Sequence, residues 1–122
     1  MALVLVVDDS PTEQHIFCKE LERHGYDTVV ASDGEEAIKT AQQMRPDVIV
    51  MDVVMPGMNG FQATRRLSKN PVTASIPVVI VSAKGQETDR IWGLRQGASQ
   101  YLVKPVESGE LASAVEAAIA DE

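Results

Sequence analysis

The segment VIVMDVVMPGMNG at residues 48–60 decides the fold, because an apolar run stops at an acid and gives way to a loop. Val48 to Met51 is short, continuously apolar and rich in β-branched residues, which is typical of a strand covered on both faces. Asp52 follows at once, and the loop from Val53 to Gly60 holds two glycines and one proline. We therefore predict a buried strand that ends at Asp52.

The same succession of an apolar run and a helical pattern occurs five times along the chain. We predict strands at Leu3–Val7, Tyr26–Ala31, Val48–Met51, Ile76–Val81 and Tyr101–Val103. We predict helices from about Pro11 to His24, from a Ser32 cap to Met44, from Phe61 to about Ser68, from about Glu87 to Gln96, and from about Ser108 to Ala120. Strict alternation favours a parallel sheet with right-handed crossovers and helices on both faces. The predicted fold is α/β: a (βα)5 doubly wound sheet of flavodoxin-like order 2-1-3-4-5, in one domain over residues 1–122.

Two helix starts have the spacing of a capping box, a hydroxyl residue followed at short distance by glutamate. Ser10 stands before Pro11 and Glu13, and Ser32 stands before Glu35. In this motif the hydroxyl accepts a main-chain hydrogen bond while the glutamate reaches back to the cap residue. We predict Ser10 and Ser32 as caps, with the Glu13 carboxylate turned back toward Ser10.

Composition and charge exclude several classes of protein. Eleven basic and eighteen acidic residues give a net charge of −7, which argues against a generic interaction with nucleic acid. The apolar runs are too short to span a bilayer, and the N-terminus lacks the pattern of a secretion signal. Cys18 is the single cysteine, so no intramolecular disulfide can form. We expect a cytoplasmic protein that binds neither nucleic acid nor membrane.

The polar residues of interest stand where the strands end. Asp8 and Asp9 follow the first strand, Asp52 the third, Ser82 the fourth and Lys104 the fifth. The carboxyl ends of parallel strands meet at one edge of the sheet, where such folds bind ligands. Three carboxylates brought together repel one another, and Mg²⁺ relieves this because it prefers oxygen ligands. The central Asp52 can serve as a nucleophile for a phosphoryl group, with Lys104 and Ser82 neutralising its oxygens.

Two other functions remain as alternatives to a phosphorylated switch. A small phosphatase with an aspartate nucleophile typically has a second acid two residues later, but Val54 occupies that position. A flavodoxin-like cofactor binder needs glycines and free amides after the first strand, but the loop there is Asp8-Asp9-Ser10-Pro11. The sequence therefore favours the switch over both alternatives.

Four segments resemble the bacterial response-regulator receiver family, which is CheY-like. They are VVDDS at 6–10, MDVVMPGMNG at 51–60, VSA at 81–83 and YLVKP at 101–105. They extend over essentially the whole chain in the family's order and spacing. The resemblance implies that Asp52 takes a phosphoryl group from a histidine kinase or a phosphotransfer domain. It implies a switch that assists its own phosphorylation and dephosphorylation, and no enzyme.

The resemblance also implies a ligand set for magnesium. Asp9 and Asp52 would bind Mg²⁺ directly, Asp8 would bind it through water, and the main-chain carbonyl of Val54 would be the remaining protein ligand.

It further implies the roles of four residues around the phosphoryl group. Lys104 would contact the phosphoryl oxygens and precede a cis bond to Pro105. Ser82 would move toward the phosphate, and Tyr101 would swing inward behind it.

We expect the signal to leave through protein contact. The expected partner surface is the face formed by the fourth helix, the fifth strand and the fifth helix, and a kinase would dock near the Asp52 edge and the first helix. Trp92 on the fourth helix could belong to the core or contact a partner. We expect a monomer or weak dimer. DDSPTE at 8–13, MPGMNGFQATR at 55–65, QETDR at 86–90 and RQGA at 95–98 resemble stand-alone receivers of pilus chemosensory systems that govern twitching motility.

Overall fold

A computed structural model describes residues 2–121 and shows five strands alternating with five helices. The elements in chain order are β1 (Leu3–Val7), α1 (Pro11–Arg23), β2 (Asp27–Ala31), α2 (Gly34–Met44), β3 (Val48–Met51), α3 (Gly60–Lys69), β4 (Val78–Ser82), α4 (Glu87–Arg95), β5 (Gln100–Val103) and α5 (Glu110–Ala120). None of the helices in this part of the chain is long and apolar enough to cross a bilayer.

The five strands form one parallel sheet in the order β2-β1-β3-β4-β5, which confirms the predicted fold class and strand order. Val7 at the end of β1 pairs with Ala31 of β2 and with Met51 of β3. The ends of β1 and β3 therefore lie level with each other, and the residues that follow them leave the sheet at the same edge.

Alternate residues of the central strands enter two separate cores, one on each face of the sheet. On β1, Leu5 and Val7 pack on the face covered by α2, α3 and α4, whereas Val4 and Val6 pack on the face covered by α1 and α5. We call these the α2–α4 core and the α1–α5 core. All four side chains are buried, which explains why the strand is apolar at every position.

The start of α2 differs from the prediction by one residue. Asp33 is the N-cap, and its side chain accepts a hydrogen bond from the Glu36 amide at 2.8 Å. The Glu36 carboxylate in turn accepts from the Ser32 amide at 2.6 Å. The predicted Ser32 cap is therefore wrong, because the adjacent aspartate also offers a capping oxygen and starts the helix one position later.

Three other boundaries shift, and the start of β4 does so for an identifiable reason. Ile76 lies outside β4 because its amide donates to Thr73 at 3.0 Å in a turn, and Pro77 has no amide to donate. At its other end β4 extends to Ser82, which pairs with Val103 of β5. The last helix begins at Glu110 and not near Ser108.

Candidate functional site

The carboxylates predicted to converge do lie together at the carboxyl edge of the sheet. Each of Asp8, Asp9 and Asp52 offers one carboxylate oxygen, and these oxygens lie within 4.8 Å of one another. Asp8 and Asp52 are buried, whereas Asp9 is exposed. The cluster therefore opens to solvent on the Asp9 side.

Main-chain hydrogen bonds that continue the sheet hold the two buried acids in place. The Asp8 amide donates to the Ala31 carbonyl at 3.1 Å, and the Asp52 amide donates to the Val7 carbonyl at 2.9 Å. The side chains have local donors as well. The Asp8 carboxylate accepts from the Ser10 amide, and that of Asp52 accepts from the Val53 amide, each at 2.9 Å.

Gly60 allows the main chain to pass close to the acid at the centre of the site. A Cβ atom at this position would lie 1.9 Å from the carbonyl oxygen of Asp52, which no side chain can accommodate. The Gly60 amide also donates to the Val53 carbonyl at 2.9 Å. The sequence indicated only that this glycine served the loop; the structure shows that it makes room for the Asp52 backbone.

Lys104 reaches the same cluster from the end of β5. Its Nζ lies 3.2 Å from Oδ2 of Asp8, 3.6 Å from Oδ1 of Asp52 and 2.8 Å from Oε1 of Glu13. Its amide donates to the Ser82 carbonyl at 2.8 Å, and its peptide bond to Pro105 is cis. The structure therefore brings Lys104 to Asp52, as the sequence predicted, and confirms the cis bond.

The charged groups at this edge shift one another's pKa values. Burial, followed by the negative charge of Asp8, raises the pKa of Asp52 from 3.8 to about 6, although Lys104 and the Val53 amide oppose the rise. Burial lowers the pKa of Lys104, but its hydrogen bond to Glu13 and the charges of Asp52 and Asp8 outweigh that effect, and its pKa is raised overall. The ammonium thus stays charged, yet one lysine does not fully relieve the carboxylates.

The donor set fits a magnesium ion. Closely spaced carboxylate oxygens, one pair buried and one exposed, provide the few direct ligands that Mg²⁺ requires while leaving positions for water. The Val54 carbonyl is available as well, since within residues 2–121 it accepts no hydrogen bond. The Val54 side chain is exposed and apolar, so the structure offers no second acid there for a phosphatase.

Ser82 and Tyr101 lie on the α4 side of the cluster and share Lys84 as a partner. Ser82 is fully buried, and its hydroxyl accepts from the Lys84 amide at 3.1 Å. The partly buried Tyr101 donates its hydroxyl hydrogen to the Lys84 carbonyl at 2.7 Å. The β4–α4 connection is therefore tied to both side chains, and the inward swing of Tyr101 remains a prediction.

Sequence reasoning missed Glu13 as a member of this site. Ser10 does cap α1, accepting from the Glu13 amide at 3.3 Å, but the Glu13 carboxylate does not turn back to it. Asp8 already accepts the hydrogen bond from the Ser10 amide, and the Glu13 carboxylate contacts Lys104 instead. The sequence did offer one signal: Glu13 is an acid in the first turn of α1, shortly after the end of β1.

A sizeable groove lies away from this cluster. It is a groove of about 1020 Å³ between α2 and α3, lined in part by Ile38, Met58, Gln62, Arg66 and Pro71. Its size does not bear on the carboxylate cluster, because an ion and a phosphoryl group need little volume.

Comparison with known proteins gives consistent matches over nearly the whole chain. The family model "Response regulator receiver domain" matches residues 4–116. Protein PilH of Pseudomonas aeruginosa is 51% identical over 120 residues, which cover 98% of this chain and 99% of that protein.

Solved structures agree with this result. The chemotaxis protein CheY4 of Vibrio cholerae is 32% identical with a TM-score of 0.90, covering 97% of this chain and 98% of that one. The receiver domain of a sensor histidine kinase from Pseudomonas aeruginosa is 29% identical with a TM-score of 0.90, covering 98% of each chain. That receiver domain is described with a magnesium ion coordinated in its active-site cleft.

Proposed function

The chain belongs to the response regulator receiver domain family, and from that membership we propose that it is a signalling switch controlled by phosphorylation of Asp52. The observation that supports this assignment most directly is the meeting of Asp8, Asp9, Asp52 and Lys104 at one edge of the sheet. Receiver domains interact with histidine kinases and with downstream targets. We propose a histidine kinase or a phosphotransfer domain as the donor.

In the proposed reaction a carboxylate oxygen of Asp52 attacks the phosphorus of a phosphohistidine. A P–O bond to Asp52 forms, the P–N bond breaks, and its electron pair stays on the donor nitrogen. Lys104 is within reach of the new phosphoryl oxygens, since its Nζ lies 3.6 Å from Asp52. Bound Mg²⁺ would supply further positive charge to those oxygens.

We assign the magnesium ligands to Asp9 and Asp52 directly, to Asp8 through water, and to the carbonyl of Val54. The proximity of the three carboxylates supports the first part of this assignment. The lack of a hydrogen bond to the Val54 carbonyl within residues 2–121 supports the last.

We further propose that phosphorylation is transmitted through Ser82 and Tyr101 to the face formed by α4, β5 and α5. The attachment of Lys84 to both side chains supports this route. Ile91, Trp92 and Val103 are 42%, 52% and 43% exposed, which makes this face apolar enough to bind a protein partner. Trp92 therefore lies at the surface and not in the core.

The proposed setting is the cytoplasm, with the protein acting as a monomer or weak dimer in a single domain over residues 1–122. The free Cys18 supports a reducing compartment. The 51% identity to Protein PilH, together with the four segments that resemble pilus chemosensory receivers, supports a role in pilus-linked chemosensory signalling.

Incubation with acetyl phosphate and Mg²⁺, followed by intact mass measurement, tests the proposal. We expect a single phosphoryl adduct that is labile to base, absent in Asp52→Asn and absent when EDTA replaces Mg²⁺. Asp27→Asn, which removes an exposed acid on β2, is the matched control and should be modified normally. As the single tryptophan, Trp92 should also change its emission on phosphorylation.

Two outcomes would contradict the proposal. One is an adduct of equal yield in Asp52→Asn. The other is repeated turnover of a phosphate ester, which would make the protein an enzyme.

A further inference from the structure

The Lys104 ammonium contacts one carboxylate that has no part in the proposed phosphoryl transfer. Its ammonium contacts Asp8, Asp52 and Glu13, and the contact to Glu13 is the shortest of the three at 2.8 Å. Glu13 lies in the first turn of α1, on a different element from the other two acids. The lysine therefore lies closer to Glu13 than to the phosphoryl acceptor Asp52.

The local hydrogen bonding explains why the Glu13 carboxylate is free for this contact. In a complete capping box it would accept from the amide of the cap residue, Ser10. Here the Asp8 carboxylate accepts from that amide at 2.9 Å. Glu13 is therefore released from capping, and its side chain reaches Lys104 across the edge of the sheet.

The contact between Lys104 and Glu13 is partly sheltered from solvent. The Lys104 side chain is 18% exposed and that of Glu13 is 33% exposed, so water screens the pair only in part. The Lys104 ammonium also lies 5.8 Å from the centroid of the Phe17 ring, so an aromatic side chain of α1 lies beside it. An ion pair in such a setting is screened less than one at an open surface.

The three acceptors of Lys104 do not have equal roles. Asp8 and Asp52 belong to the carboxylate cluster that fits Mg²⁺, whereas Glu13 does not. An ammonium settled on Asp8 and Asp52 would occupy oxygens that the cation needs. An ammonium held by Glu13 remains close to Asp52 but leaves more of that oxygen surface open.

We propose that Glu13 is a positioning residue for Lys104, drawing its ammonium toward α1 so that Asp8 and Asp52 remain available to a divalent cation. This inference rests on the proposed function, since it takes the carboxylate cluster as a magnesium site. It predicts that loss of the Glu13 carboxylate weakens Mg²⁺ binding through Lys104. If the Glu13 carboxylate acted only through its own negative charge, its loss would weaken Mg²⁺ binding whether or not Lys104 were present.

The test is calorimetric titration of the whole chain with Mg²⁺. Glu13→Gln should bind about twofold to fivefold more weakly than the wild type, the ratio expected from losing one partly sheltered ion pair. Glu13→Asp keeps the charge but is one methylene shorter, so it should also bind more weakly. Glu35→Gln is the matched control, because it removes an exposed glutamate from the first turn of α2, and its affinity should be unchanged.

The decisive comparison repeats Glu13→Gln in a Lys104→Gln background. There the substitution should change Mg²⁺ affinity by less than about twofold, because the ammonium through which Glu13 acts is absent. The NMR shifts of the Lys104 side chain should also differ between the metal-free wild type and metal-free Glu13→Gln.

An equal loss of affinity in the two backgrounds would overturn the role of Glu13, and so would unchanged affinity in Glu13→Gln and Glu13→Asp. Failure of the wild type to bind Mg²⁺ would instead overturn the proposed magnesium site. If Glu13→Gln did not fold, Glu13→Asp alone would decide between these outcomes.

Discussion

Helices α5 and α4 cover opposite faces of the same sheet but are attached to it very differently. α5 buries five residues, which are Leu111, Ala112, Ala114, Val115 and Ala118. α4 buries only Gly93; its Leu94 is half-buried against the core, and its Ile91 and Trp92 are exposed. Burying one large apolar side chain contributes about 1.5–3 kcal/mol, so α5 is the more firmly anchored helix.

The difference indicates which part of the molecule is able to respond to phosphorylation. Segments that move are those with few buried apolar contacts, because opening them costs little free energy. α4 meets this condition, and the loop before it is tied to Ser82 and Tyr101. α5 can act as a fixed support, since its apolar face fills the α1–α5 core.

Truncating one large residue on each helix should give the largest contrast in stability. Leu111→Ala removes a fully buried side chain and should lower the free energy of unfolding by about 2–5 kcal/mol. Ile91→Ala removes a side chain that is 42% exposed and should lower it by less than about 1 kcal/mol. Urea denaturation with unchanged m-values measures both changes.

Similar losses for the two substitutions would contradict the comparison. They would mean that α4 contributes to the core as much as α5 does.

Asp52 lies at the edge between the two faces and should itself lower the stability of the fold. Its pKa is raised to about 6 by burial and by Asp8, so the folded state binds a proton more tightly than the unfolded state does. For a raised acid the stability falls as pH rises from 3.8 through about 6, and ionised Asp52 is unfavourable at pH 7. The well-packed α1–α5 core offsets this cost.

Asp52→Asn should therefore stabilise the metal-free protein at pH 7 by about 1–2 kcal/mol. The gain should shrink as pH falls below about 6, where the wild-type carboxyl becomes neutral. Thermal unfolding in EDTA across this pH range measures it. A gain that stayed constant with pH would show that ionisation of Asp52 is not its cause, and added Mg²⁺ should stabilise only the wild type.

The sequence predicted the sheet and the convergence of the site, because both follow from where apolar runs stop. An apolar strand followed by an acid places that acid at the carboxyl edge whatever the details of packing. The role of Glu13 was not predictable in the same way. Whether its carboxylate turns to Ser10 or to Lys104 depends on Asp8, which occupies the Ser10 amide first.

The sequence also did not predict that α4 would be so little buried. A helical pattern that includes Ile91, Trp92 and Leu94 indicates a helix but does not indicate how much of it is buried. The structure shows that Gly93 lies against Tyr101 and that Ile91 and Trp92 turn outward. Which face of a helix meets the sheet depends on the length of its flanking loops as well as on its pattern.

Gly93→Ala tests a tight contact between α4 and the sheet. An added Cβ would lie 2.9 Å from Cδ2 of Tyr101 and 3.1 Å from Cδ1 of Ile80. Alanine gains about 1 kcal/mol over glycine in a helix, whereas crowding of this kind typically costs about 1–3 kcal/mol. We expect a net destabilisation of about 1 kcal/mol, measured by urea denaturation.

The same substitution in a Tyr101→Ala background provides the control. There the ring is gone and the helix preference should dominate, so Gly93→Ala should stabilise that variant by about 0.5–1 kcal/mol. A destabilisation of equal size in both backgrounds would place the strain elsewhere, at Ile80 or within α4.

Tyr101→Phe should have the smallest effect on global stability and the most localised one. It removes the hydroxyl that donates to the Lys84 carbonyl at 2.7 Å while leaving the ring against Gly93. That carbonyl lies at the surface and can accept from water instead, so the free energy of unfolding should fall by less than about 1 kcal/mol.

Hydrogen exchange should nevertheless reveal the loss of this bond near α4. Amides of the β4–α4 loop and of the first turn of α4 should exchange faster in Tyr101→Phe, because one of the two side-chain ties on Lys84 is gone and few buried contacts compensate. Amides of α5 should be unchanged, since its attachment runs through Leu111 and Val115 on the opposite face. Faster exchange spread equally over both helices would mean that they open together, and the distinction between a fixed and a responsive helix would fail.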